Sequence, residues 1–233
     1  MKKIIQYGMV AVLTSFSMLA NAVVILSFDS TSISSEPTAT GASARVELSF
    51  TDMVGDAVQI DFAIRNTTGE ITPFGLGAVE SMLTGVAIDL VSPNTGVSNF
   101  TGGTYLDTLI TNASANPFGT LDIGIADNTN FIGGNANNAL AEATSDVISL
   151  VLNGTGLSAM GLEAAFTSGF TNGTLQYVAR FQQVDTPTQS GLSDKLSGGS
   201  CCGPITVPEP AMLTLVGLGL IGLGYSRRKH GLA

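Results

Sequence analysis

Between Arg45 and Arg65 the chain alternates apolar and polar residues with a period of two. Val46, Leu48 and Phe50 fall on one side of Arg45-Val46-Glu47-Leu48-Ser49-Phe50-Thr51, and Val58, Ile60, Phe62 and Ile64 repeat the pattern, with Gln59, Asp61 and Arg65 facing the other way. A helix cannot gather such residues on one face, whereas a strand buried on one side does so automatically. Val86, Ile88 and Leu90 continue the pattern, as do Leu175, Tyr177, Ala179 and Phe181, and Asp146 to Leu152 reads as a more fully buried strand. Turn residues separate these runs, with Asn66-Thr67-Thr68-Gly69 and Ser92-Pro93-Asn94-Thr95-Gly96 the clearest. The spacing predicts a mainly β chain with an antiparallel β-sandwich or jelly-roll-like body over residues 23–190. One short helix is expected over Asn135 to Asp146, and residues 191–207, rich in Gly, Ser and Cys, read as a flexible linker.

Composition narrows what such a body can do. Hydrophobic residues make up 44% of the 233, enough for a sizeable core, and only 12% are charged. Between Val23 and Val207 only Arg45, Arg65, Arg180 and Lys195 are basic, against seventeen acidic residues, a net of −13. That charge repels phosphate backbones, so nucleic acid is excluded as a partner. The single histidine is His230, close to the C-terminus, which removes histidine-dependent nucleophilic catalysis from the body. No cofactor or metal site is expected. The oxygen-rich stretch Asp122 to Asn130 lacks EF-hand spacing and reads more readily as a polar loop than as a Ca²⁺ site. Carboxylate-only glycoside hydrolysis needs two acids across a cleft, and the sequence singles out no pair. The chain has no Trp, and only Tyr105 and Tyr177 lie in the body, which weighs against ring-stacking sugar clefts. Asn66, Asn99, Asn112, Asn153 and Asn172 each begin N-x-S/T, against roughly three expected by chance.

The two ends carry the other five basic residues. Lys2 and Lys3 precede an apolar run from Met9 to Leu19, closed by Ala20-Asn21-Ala22. This is the order of a secretory signal peptide over residues 1–22, with Ala20 and Ala22 framing the cleavage site and Val23 the first residue after it. It implies a signal helix and passage through the Sec translocon.

At the other end, Gly217-Leu218-Gly219-Leu220-Ile221-Gly222 spells G-x-G-x-x-G, but only eleven residues follow and none is acidic. A dinucleotide fold cannot be completed there. The alternative has three parts: Pro208-Glu209-Pro210, an uncharged run Ala211 to Tyr225, then Arg227, Arg228 and Lys229. Fifteen residues give roughly 22 Å of helix, a short transmembrane helix that snorkelling basic residues help to complete. The positive-inside bias holds that cluster in the cytoplasm.

Residues 208–233 resemble the PEP-CTERM sorting signal of exported Gram-negative proteins. Pro208, Glu209 and Pro210 match the motif, and Arg227 and Arg228 match its basic stop. The resemblance implies that the tail lodges the precursor transiently in the inner membrane. There exosortase, a membrane-embedded protease, processes it near the motif, and the cargo passes to the cell surface or extracellular matrix. The expected product is a non-enzymatic structural or adhesive protein, with exopolysaccharide as a candidate partner. The alternative is a carbohydrate-binding or carbohydrate-active protein sorted by the same route. Cys201 and Cys202 are adjacent, and in an oxidising exterior they can form a vicinal disulfide or pair between chains, the alternative being a linker feature of no consequence.

Overall fold

The alternation at Arg45–Ile64 becomes a long hairpin in the structure, a computed structural model that describes residues 23–91, 96–128, 130–131, 136–199 and 201. Its strands are β3 (Ala44–Met53) and β4 (Ala57–Asn66), paired antiparallel from Ala44↔Asn66 to Met53↔Ala57. The other strands are β1 (Val23–Phe28), β2 (Ile33–Ser34), β5 (Glu80–Ile88), β6 (Gly96–Thr101), β7 (Thr108–Ser114), β8 (Thr120–Ala126), β9 (Leu140–Ala141), β10 (Ser145–Asn153), β11 (Tyr177–Asp185) and β12 (Leu192–Ser197). They form two sheets whose pairings are all antiparallel, ordered β1-β3-β4-β10-β6 and β2-β12-β11-β5-β8-β7, with β9 also paired to β5.

Leu26, Leu48, Phe62 and Leu150 of the first sheet join Val86, Ile88, Phe181 and Leu196 of the second in one continuous buried cluster. Each such side chain contributes about 2 kcal/mol through apolar area removed from water. The second sheet is covered on its other face too, by a smaller cluster that includes Ala87, Val178, Ala126 and Phe131. That second cover corrects the expected alternation near Leu175–Phe181, since Tyr177 to Phe181 are all buried. Conversely, β10 is less buried than its composition suggests, because Val147 lies 65% exposed on the open face of the first sheet.

Among the described residues one α-helix, α1 (Ala159–Asn172), links β10 to β11. Ser158 caps it, its hydroxyl accepting the Gly161 N–H at 3.2 Å, and Gly173 ends it in the left-handed conformation, which costs glycine little. Leu162, Phe166 and Phe170, four residues apart, form its buried stripe. The rings continue as a chain Phe50–Phe166–Phe170–Tyr177–Phe28 with successive centroids 5.3–5.6 Å apart.

Two expectations fail here. The helix expected over Asn135 to Asp146 is replaced by a 3-10 turn (Ala136–Asn138) and by β9. Buried Leu140 belongs to the core, and its carbonyl accepts a hydrogen bond from the Asn66 amide at 3.0 Å, so this segment serves the sheet. The linker expected over residues 191–207 is partly structured: 192–197 form β12, with Asp194 and Leu196 buried. Among the described residues no helix is long and apolar enough to cross a membrane. The expected signal helix and transmembrane helix lie outside those residues.

The turn after β4 forms as expected. The buried Asn66 amide donates to Ser81 O at 2.9 Å, and its carbonyl accepts from the Thr68 N–H. Asn66 is therefore closed to glycosylation in the folded body, whereas Asn99, Asn112, Asn153 and Asn172 are exposed.

Candidate functional site

The last described segment of the body follows β12, which ends at Ser197. Beyond β12 the backbone crosses from the second sheet to the first, and Cys201 forms an antiparallel bridge with Leu26 of β1. Three hydrogen bonds hold the crossing: Gly198 N–H to Tyr177 O at 3.1 Å, the Ser32 hydroxyl to Gly198 O at 2.9 Å, and the Tyr177 hydroxyl to Gly199 O at 3.0 Å. Burial, reinforced by the charge of Asp29, pushes the Tyr177 phenol up to about 12. Its contribution is complete below the ordinary value of 10 and is lost as pH climbs toward 12. Cys201 is disulfide-bonded. Nearby, buried Asp194 accepts from the Thr40 N–H and hydroxyl at 3.0 and 3.1 Å and from the Ser34 hydroxyl at 2.7 Å, tying residues 34–40 to β12. Sequence reading missed this clamp, because Ser197-Gly198-Gly199-Ser200 spells flexibility while its fixing partners lie far away in the chain.

Val23, expected to follow the signal-peptide cut, is the first residue of β1 and pairs with Ser49. Ala20, Ala22, Cys202, Pro208, Glu209, Pro210, Arg227, Arg228 and Lys229 lie outside the described residues.

A cavity of about 470 Å³ opens beside β10, lined by Gly102, Gly103, Thr104, Ser145, Asp146 and Val147. Asp146 is its only acidic lining residue, and its carboxylate accepts the backbone N–H groups of Thr104, Tyr105 and Leu106, each at 2.9 Å. A Cβ on Gly103 would overlap that carboxylate. The arrangement fastens the loop between β6 and β7.

Other acids are likewise bound to backbone. Asp89 accepts from the Gln176 N–H and Asp122 from the Leu90 N–H, each at 2.8 Å. Burial raises Asp89 above the usual carboxylate range, and the charge of Asp122 adds to the rise. Of the stretch Asp122 to Asn130, Asp122 belongs to β8, and among the described residues no three His, Cys, Asp or Glu side chains gather to hold a metal ion.

Asp127 differs in having one carboxylate oxygen, Oδ2, buried and lacking a hydrogen-bond partner. Burial raises its carboxyl above the ordinary 3.8. The folded chain therefore holds this proton to higher pH than the unfolded chain, and stability falls as pH rises through that window. Asp127→Asn is expected to raise the melting temperature at pH 7, and the gain should vanish below about pH 4. Thermal melts of both proteins across that range check it; a gain that persists at pH 3 would assign the effect to something other than ionisation.

Comparison with known proteins places the chain's one recognised motif. The family model for the PEP-CTERM protein-sorting motif matches residues 206–229. The motif supports a protein sorted by exosortase, and it implies an exported, membrane-anchored precursor with an extracellular destination. No curated protein matches the chain.

Proposed function

From a chain that carries this sorting motif, we propose an exported β-sandwich protein that serves as a structural or adhesive component of the cell surface or exopolysaccharide matrix. In this reading the protein is exosortase's substrate and performs no catalysis itself. The signal peptide is cut after Ala22 once the Sec translocon has taken the chain across. Residues 211–225 then hold the precursor in the inner membrane, with Arg227, Arg228 and Lys229 on the cytoplasmic side. Exosortase cuts near Pro208-Glu209-Pro210, where two prolines keep the backbone extended.

The observation that carries the reading is the motif at residues 206–229. The body adds support: buried Asp146 and Asp194 are committed to holding loops, which suits a scaffold better than an acid–base catalyst. At most about 25 Å of extended chain separates Cys201 from Pro208, so processing would release the body with a short stub.

The test is the intact mass of surface-released protein. The tail is expected to be absent from wild-type material and retained both in an exosortase-deficient strain and in a Glu209→Ala variant. Equal masses in all three would overturn the proposal.

A further inference from the structure

The first sheet has one end where apolar side chains face water with no partner. At the β3–β4 hairpin tip Val54 is fully exposed and Met53 is 44% exposed, and at the start of α1 Met160 is 79% exposed. A hydrogen bond brings the two segments together, the Asp52 carboxylate accepting the Ala159 N–H at 2.6 Å. The tip and the helix start are thus neighbours, one residue on either side of that bond. Met53, Val54 and Met160 thus lie within two residues of one hydrogen bond, whereas Ile33, Val79 and Val147 are exposed singly elsewhere.

The strand register shows which way this end faces. β1 runs antiparallel to β3 with Val23 level with Ser49, so β1 begins toward the Met53 end, while Phe28 lies level with Ala44 at the far end. Cys201 bridges Leu26 antiparallel to β1, so the backbone there heads back toward the same end. Strand geometry thus directs both limits of the body toward the pole that bears Met53, Val54 and Met160.

We propose that this pole is a lipid-contacting surface that rests on the membrane while the precursor is anchored. The inference depends on the anchored-precursor reading above and adds the orientation of the body. Residues 49–60 and 153–176 contain no Lys or Arg, and Asp52, Asp56 and Glu163 are acidic. Contact therefore depends on apolar insertion and not on anionic headgroups, so phosphatidylcholine suffices. Three side chains bind lipid weakly by themselves, but tethering raises their effective concentration at the surface.

The chain has no Trp, so one introduced residue gives a clean fluorescence signal. Val54→Trp and Met160→Trp place it at the pole. Val147→Trp places it on the open face of the first sheet, as the control. All three positions are exposed, so each variant is expected to fold. The full chain is reconstituted with vesicles of brominated phosphatidylcholine, and flotation and quenching are read together. The expected result is equal flotation of all variants, with at least about threefold stronger quenching at positions 54 and 160 than at 147. Flotation without that difference overturns the orientation and leaves anchoring intact. Failure to float overturns the anchored precursor and the orientation with it.

Discussion

Asp146→Ala is expected to be one of the two most damaging substitutions considered, lowering stability by about 4 kcal/mol, since it removes the acceptor of the buried Leu106 N–H and of the part-buried Thr104 and Tyr105 N–H groups, and a buried N–H left without an acceptor costs about 1–3 kcal/mol. The carboxylate takes three consecutive backbone N–H groups from the loop between β6 and β7. Alanine would orphan all three together and free the loop that joins the edge strands of the two sheets. In a body of this size the melting temperature should fall by roughly 10 °C. Asp146→Asn keeps one carbonyl acceptor and should lose about half as much. Gly103→Ala attacks the same contact from the other side, since the added Cβ overlaps the carboxylate. Thermal unfolding of the three variants checks the account. If Asp146→Ala melts like wild type, the loop is not held by this residue.

Phe166→Ala comes next, at about 4 kcal/mol for a buried aromatic ring removed from a packed core. Phe166 is fully buried and is the second ring of five that join helix, first sheet and β11. Its loss breaks the ring chain where α1 meets β3. Phe166→Leu refills part of the space and should cost clearly less. Denaturant titration separates the two: similar midpoints for Ala and Leu would mean that the helix packs loosely.

Much of the first sheet was legible because its period-two runs are long and one face of the sheet stays open to water. Arg45, Glu47, Gln59 and Arg65 keep the polar half of the pattern visible. The second sheet was harder to read because it is covered on both faces. Arg180 is buried among Val178, Ala179 and Phe181, and its strand shows no clean alternation. The helix was missed although its signals were present: Ser158 and Gly173 in cap positions, and Leu162, Phe166 and Phe170 every four residues. Gly, Ser and Thr between them lower helix propensity, and packing against β3 supplies what propensity does not. β12 was hidden for a different reason. Its Ser and Gly neighbours read as a stalk, and the groups that fix it, Ser34, Thr40 and Tyr177, come from distant parts of the sequence. The sorting motif was fully legible, since a linear signal is read by a partner and needs no fold to assemble it.

The bridge between Leu26 and Cys201 also bears on how the body folds. It joins the first strand to residues almost 180 positions later, and β12 must be in place before that closure can form. Contact order is therefore high, and closure lags behind synthesis. A nascent chain that has not yet delivered residue 201 lacks the segment that closes the body against its first strand.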